Sequence, residues 1–316
     1  MFKNKEYVLS VEKSKSFSKA AKELYISQPS LSASIKRIEK EIGAPIFDRS
    51  TNPLSLTDIG KKYIECANEI STIEDSFKNF VSDSFNVLKG EIKIGGSGMF
   101  NSFVLSELIS RFNRHYPNIK FHITEDHTQN LIDRIISGKL DIVMDNVLIN
   151  NKSLNPQKYS TETLLVAVPK SYAVNKAVKE KCYTATDIKE CKHNAPDAKT
   201  VSLTTFKNEP FVLLKSENDT GKRALKLFKR HDIKPKILFK LDQQITAYNF
   251  TCSGVGVSFV SDTMIKNLSG SSDVLFYRLD EKDIERNIYF YTKTNRYLTK
   301  AAQSFIEESI KIANSK

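Results

Sequence analysis

Leu31, Ile35, Ile38 and Ile42 recur at steps of four, three and four, the mark of one buried stripe along a helix. That stripe leaves Gln28, Pro29, Ser30, Ser32, Ala33 and Lys36 facing outward. Glutamine can pair with adenine through two hydrogen bonds, serine bonds several bases, and proline and alanine fit against a thymine methyl. Lys36 and Arg37 suit phosphate oxygens, which position a protein on a duplex without reading its sequence. Arg49, farther along, suits phosphate or the minor groove. Together these residues have the chemistry of a helix laid into the major groove of double-stranded DNA. The blander alternative is the ordinary exposed face of a small helical domain.

A second group follows strand-like segments. Gly95, Gly96, Ser97 and Gly98, then Met99, lie between an alternating segment (91–95) and a helical one that starts near Asn101. Glycines let backbone N–H groups face a ligand, and a helix N-terminus favours an anion. Thr128, the pair Asp145 and Asn146, and Asn218 with Thr220 hold equivalent places after other strands. Ligands of α/β domains sit beyond the carboxyl ends of strands; turn and cap chemistry explains the same residue types equally well. The cysteines, Cys66, Cys182, Cys191 and Cys252, form no CxxC pair, and the default reading is free thiols. Cys182 and Cys191, nine apart with His193 close by, leave a redox pair or a partial metal site as alternatives. The histidines (His115, His122, His127, His193 and His231) show no metal spacing, and no GxSxG, HExxH, phosphate-loop or GxGxxG motif occurs. Neither an enzyme nor a cofactor is expected.

The elements that must position these groups follow from periodicity. Residues 17–24 place Ala20, Ala21 and Leu24 on one helical face, with Ser16 or Ser18 as N-cap. A short break leads to a helix over 28–42, capped by Ser27, carrying Pro29 in its first turn and stopped by Gly43. Two helices joined in this way form a helix-turn-helix, and residues 46–57 read as a β-wing. Residues 58–89 read as one long helix, whose stretch without Gly or Pro (61–89) alone spans about 43 Å. Its stripe (Ile59, Tyr63, Cys66, Ile70, Ile73, Phe77, Phe80, Ser84, Leu88) is too long for one small domain and suits pairing with a second copy. From Gly90 strands alternate with helices, which predicts parallel βαβ units. The expected fold is α/β with an all-α winged helix-turn-helix at the N-terminus (1–57), a linker helix (58–89) and a C-terminal domain (90–316) of two α/β subdomains. The strand at 163–168 is expected to cross between subdomains, and a second crossing near 265–275 to return the chain. Subdomain I would then hold about 90–164 and 270–316, and subdomain II about 165–269. Residues 170–200 show no clean period and read as a loop or short helical excursion.

Composition fits this picture. The chain has 316 residues, 40% hydrophobic and 27% charged, with a net charge of +11, the profile of a globular protein of about two domains. No run of about 18 apolar residues and no apolar leader appear, so a cytoplasmic protein without a membrane partner is expected. The charge is uneven: residues 1–62 hold 12 basic and 7 acidic groups, and residues 215–240 hold 9 and 3. The first excess accords with a DNA partner. The second is either a solvated helix face or a cleft that attracts an anionic small molecule.

The segment SFSKAAKELYISQPSLSASIKRIEKEIGAPIFDRSTNPLSLTDIG, residues 16–60, resembles the winged helix-turn-helix of LysR-type transcriptional regulators. Ala20, Ala21, the run SQPSLS from Ser27, Ile35, Ile38 with Glu39, Ile42 with Gly43, Phe47-Asp48-Arg49 and Leu56 with Thr57 fall at that family's spacing. Weaker matches follow in GEIKIGGSG (90–98), GKLDIVM (138–144), EPFVLL (209–214) and GVGVSFV (254–260). The resemblance implies a homodimer or homotetramer paired through linker helices, acting on promoter DNA. It also implies an effector domain like a periplasmic binding protein, with a small molecule in the cleft near Ser97, Gly98, Met99, Asn101, Thr128, Asp145, Asn146, Asn218 and Thr220. Two departures stand out. An insertion of about twenty residues occupies 176–199, and Asn146 stands where family members that bind carboxylates often carry arginine. Peroxide-sensing members carry cysteine near the position of Asn218, which leaves Cys182 and Cys191 as the basis of a redox alternative.

Overall fold

The computed structural model of the chain describes residues 1–83, 90–268 and 272–314. The last part of the expected linker helix, residues 84–89 with Ser84 and Leu88 of its stripe, lies outside them. The chain divides into two compact units. The first holds α1 (Lys5–Ser14), α2 (Phe17–Glu23), α3 (Gln28–Ile42), the two-stranded wing β1 (Phe47–Asp48) and β2 (Ser55–Leu56), and α4 (Asp58–Asp83). Ser16 caps α2 and Ser27 caps α3, each accepting an N–H three residues on; Gly43 ends α3 at φ 83°. The stripe Leu31, Ile35 and Ile38 packs with Ala20, Ala21, Ile46, Phe47, Tyr63 and Ala67 in one core. α1 is not among the segments the spacing predicts. It contributes only Val8 and Val11 as fully buried aliphatics, too few to show a period.

The wing and α4 meet at a junction that explains the LSLTDIG segment. The Thr57 hydroxyl donates to the Pro45 and Ile46 carbonyls (2.7 and 3.2 Å) and accepts the Gly60 N–H (2.9 Å). A Cβ on Gly60 would stand 2.0 Å from the Ile46 carbonyl oxygen, so only glycine lets the first turn of α4 lie on this backbone. The α4 stripe turns Tyr63 and Ala67 inward, while Ile59, Ile73, Phe77, Phe80 and Val81 are exposed. Among the described residues no helix is long and apolar enough to cross a membrane.

The second unit contains two α/β subdomains. In the first, β3 (Gly90–Gly96) pairs in parallel with β4 (Ile119–Glu125) and β5 (Ile142–Asp145). The links are α5 (Gly98–Phe100), a π turn at Asn101–Leu105, α6 (Ser106–His115) and α7 (Thr128–Ile136). β6 (Leu154–Pro169) is the hinge strand. Its first half pairs with the later strand β12 (Glu285–Lys293), and its second half with β10 (Ser258–Ser261) and β11 (Val274–Leu279). The expected crossing at 163–168 is therefore present. Subdomain II continues through α8 (Val174–Ala177), α9 (Ala185–Lys189), β7 (Thr200–Val201), β8 (Pro210–Leu214), α10 (Asp219–Arg230), β9 (Lys236–Leu241), α11 (Gln244–Cys252) and α12 (Asp262–Asn267). β8 and β9 pair in parallel. α13 (Lys300–Asn314) closes the chain and sends Ala301, Ala302, Phe305 and Ile306 into the core of subdomain I.

Two expectations need correction. The second crossing does not lie near 265–275: β11 still pairs with the subdomain II half of β6, and Tyr277, Leu279 and Ile284 sit in that core. The return is made by β12, so subdomain II reaches to about residue 284 and subdomain I resumes there. The sheet is also mixed: β6 meets β10, β11 and β12 antiparallel, because two strands that cross a hinge side by side run in opposite directions. The 170–200 segment is a short helical excursion, as the sequence suggests.

Gly60→Ala is expected to force the wing from α4 and destabilise the N-terminal unit by about 1–3 kcal/mol. Urea unfolding followed by circular dichroism checks this; an unchanged midpoint would contradict the junction described.

Candidate functional site

On the N-terminal unit the outward face of α3 is as the stripe dictates. Gln28, Pro29, Ser30, Ala33, Lys36 and Arg37 are exposed and Ser32 is half-buried. Lys36 and Arg37 have no ion-pair partner among the described residues. Tyr25, which the sequence reading passed over as a break, sits in the turn at φ 56° and is 95% exposed. Arg49, 40% exposed, also has partners within the chain. Its guanidinium bonds Glu39 at 3.1 Å and lies over the Phe17 ring at 5.1 Å, while Glu39 also accepts the Ile46 and Phe47 N–H groups. Arg49 thus fastens the wing to α3.

The second unit carries a cavity of about 270 Å³ between its subdomains, near the lower end of the usual range for ligand sites. Ser97, Gly98, Met99, Thr128, Asp145, Asn146, Asn218 and Thr220 all line it, drawn together from loops up to 123 positions apart in sequence. Asn101 does not. Its amide donates to the Gly96 and Thr124 carbonyls (3.1 and 3.4 Å) and ties the end of β3 to the end of β4. Its role is to position the Ser97 loop, a correction forced by the backbone acceptors that surround it.

The floor is a buried polar network. Arg286 Nε donates to Glu162 at 2.6 Å, and Arg286 Nη1 donates to Asp219 at 2.8 Å and to the Thr220 hydroxyl at 3.1 Å. Asn146 donates to Glu162 at 2.8 Å, and the Ser261 hydroxyl donates to its other oxygen. Burial disfavours the charge on Arg286, but Glu162 and Asp219 outweigh it and hold the guanidinium above its ordinary pKa. Neither Arg286 nor Glu162 is in the sequence-based set. The one available signal is a charged residue at the border of an apolar strand.

The walls are acidic. Glu125, Asp126, Asp145, Glu217, Asp219 and Asp242 line the cavity, against Arg286 as the one lining Arg or Lys among the described residues. Asp126 has Arg134 (3.5 Å), Asp242 has Lys215 (2.8 Å), and Asp219 has Arg223 and Arg286. Among the described residues Glu125, Asp145 and Glu217 form no ion pair, although the charge of Lys215 is felt at Glu217. Asp145, 2% exposed, accepts the Thr128 hydroxyl and the Val147 N–H; burial pushes its pKa up, with Asp219 across the cleft adding to the effect. Of the two readings of the basic stretch at 215–240, the lining of the cavity accords with the solvated helix face. Its cations are spent on Asp219, Asp242, Glu281 and Asp283 or stand exposed, and none lines the cavity.

The excursion holds the remaining candidates. Cys182 and Cys191 are free thiols. Cys182 packs on the core that contains Tyr277, whereas Cys191 bonds Lys266 of α12, which covers the sheet face of Phe276. His193 is fully buried, 2.9 Å from Asp262. Burial works against the charge on Asp262, but His193, Lys266 and the Thr163 N–H hold its pKa below the ordinary value. The pair docks the excursion onto α12.

Residues 2–61 match the family described as bacterial regulatory helix-turn-helix protein, lysR family, and residues 86–311 match the LysR substrate binding domain. The chain is 26% identical to the uncharacterized HTH-type transcriptional regulator YcgK of Bacillus subtilis over 304 residues, covering 96% of this chain and 92% of that one. Its fold is similar to that of a full-length OxyR variant from Pseudomonas aeruginosa (TM-score 0.72, 18% identity, 97% and 93% covered). It is also similar to full-length CbnR in complex with its target DNA (TM-score 0.64, 17% identity, 99% of both chains covered). The chain belongs to the LysR family: it is a LysR-type transcriptional regulator with an effector-binding domain.

Asp145→Asn is expected to stabilise the protein alone at neutral pH. A carboxylate whose folded pKa is raised contributes stability below the ordinary aspartate range and loses it as pH rises through the folded value. The advantage of the variant should therefore shrink on acidification. Thermal unfolding across pH checks this; a variant less stable at neutral pH would contradict it.

Proposed function

We propose that this LysR-type regulator binds double-stranded promoter DNA through α3, and that a small molecule in the inter-subdomain cleft modulates its binding or activation. The observation that carries this reading is the cavity at the β6–β12 hinge, in the same chain as a helix-turn-helix whose outward residues are uncommitted. A molecule that touches both subdomains changes their relative free energy, and a ligand shifts an equilibrium by its differential affinity for the two states. The relative bound to its target DNA supports the DNA partner. In this reading Gln28, Pro29, Ser30, Ser32 and Ala33 face base edges, Lys36 and Arg37 face phosphates, and Arg49 holds the wing in place. Ser97, Gly98, Met99, Thr128, Asp145, Asn146, Asn218 and Thr220 contact the effector. The protein works in the cytoplasm by binding rather than catalysis, as a homodimer or homotetramer joined through the exposed apolar stripe of α4.

Gln28→Ala and Ser32→Ala are each expected to cost about 1–3 kcal/mol of specific binding. Lys36→Gln should weaken binding evenly across sequences and lower the salt slope by about one. Gel-shift titrations on sites selected from a random DNA library check both; unchanged footprints in the first two variants would move the reading face elsewhere. Phe77→Asp, which places a charge in the α4 stripe, should shift the assembly toward monomer in light scattering. An unchanged mass would remove α4 from the interface.

A further inference from the structure

We propose that the effector is an organic cation, a small molecule bearing at least one protonated amine, held between the carboxylates of the two cleft walls. This rests on the reading of the cleft as the effector site and names the chemistry that the site selects.

Three observations carry it. First, the protein's own acids already occupy several of the positive features that would hold an anion. A helix N-terminus favours negative charge, and α7, α10 and α11 begin at this cavity. At α7 the Asp126 carboxylate accepts the His127 N–H and the Asn130 amide. At α10 Asp219 stands in the first turn and Asn218 accepts the Thr220 N–H. Asp242 stands two residues before α11, paired with Lys215. Arg286 is itself committed to Glu162 and Asp219. An anion entering here would meet acids at the starts of α7 and α10 and carboxylates on both walls.

Second, the carboxylates that form no ion pair point to one ligand charge. Glu125 and Asp145 belong to subdomain I, and Glu217 to subdomain II. Asp145 is nearly fully buried at the cavity wall, with neutral donors as its partners. A buried carboxylate with no counter-ion is costly, and a ligand ammonium removes that cost at the moment of binding. Charge-assisted bonds of this kind are roughly twice as strong as neutral ones.

Third, acceptor oxygens from both subdomains converge on one point. The position of a Cβ on Gly98 would lie 2.8 Å from Glu125 Oε1 and 3.1 Å from Gln243 Oε1. A carboxylate and an amide carbonyl side by side, with no side chain between them, suit the several N–H donors of an ammonium group. Among the described residues no cluster of His, Cys, Asp and Glu is arranged to hold a metal ion, which favours an organic cation.

The test is calorimetric titration of the full-length protein, at fixed ionic strength, with 1,4-diaminobutane, spermidine, agmatine and lysine. Succinate and 1,4-butanediol serve as the anionic and neutral counterparts of the diamine. At least one cation is expected to bind, and Glu125→Gln and Glu217→Gln are each expected to weaken it about tenfold or more. Circular dichroism confirms that both variants fold. The proposal is overturned if none of the four cations binds, if binding survives both substitutions, or if succinate binds more tightly than every cation. Footprinting on a selected DNA site separates this from the parent reading. Succinate altering the footprint through the cleft would keep the effector site and overturn the cation. A cation that binds through Glu125 and Glu217 but leaves the footprint unchanged would support the cation assignment and overturn the regulatory reading.

Discussion

Arg286 and Glu162 face each other across the two hinge strands, paired in register and almost wholly buried. A buried ion pair is costly to break, about 3–5 kcal/mol when one partner is removed, because the other charge is left uncompensated. Here the pair is the junction between subdomains. Glu162 also receives Asn146 from subdomain I and Ser261 from subdomain II, while Arg286 reaches forward to Asp219 and Thr220. The loops that form the cavity are therefore tied to one buried network, and that network sits where the strands cross.

The same network settles the sign of the cleft. A lone arginine at the floor of an α/β cleft would invite a carboxylate. This one is neutralised on two sides before any ligand arrives, and the helix ends around it carry the protein's own acids. Charge counted along the chain does not predict this. Residues 215–240 are strongly basic, yet Arg223, Lys226 and Arg230 turn to Asp219, Glu281 and Asp283. The field inside a cavity is set by what lines it, and the excess on the surrounding helix is spent elsewhere.

Legibility in the sequence followed the range of the interaction. The helix-turn-helix could be read because its determinants are local: a 4-3-4 stripe, a serine cap, and a glycine stop within sixteen positions. Thr57 and Gly60 fell at recognisable places for a reason the junction with Ile46 makes physical. The ligand loops could be placed because strand ends precede helix starts, and eight of the nine named residues do line the cavity. Asn101 was misjudged because its partners, Gly96 and Thr124, lie on two strands whose adjacency is a tertiary fact. The contacts of Arg49 with Glu39 and Phe17 are tertiary and leave no local trace in the sequence. Glu162 with Arg286, and His193 with Asp262, are separated by 124 and 69 positions, and no local pattern announces such pairs.

Asp145 joins these strands of argument. A carboxylate buried against a cavity, satisfied by a hydroxyl and two backbone N–H groups but by no positive charge, carries a cost to the fold that contains it. Sites that carry such a cost are commonly functional, since strain retained in one place is balanced by packing in others. At this cavity the hinge network, through Arg286, holds Asp219 on the wall that faces Asp145 despite their repulsion. On the proposed cation reading, a positive group between the walls replaces that repulsion with attraction, whereas a neutral one leaves it in place. On that reading, selectivity for charge and coupling to subdomain geometry arise from the same few carboxylates.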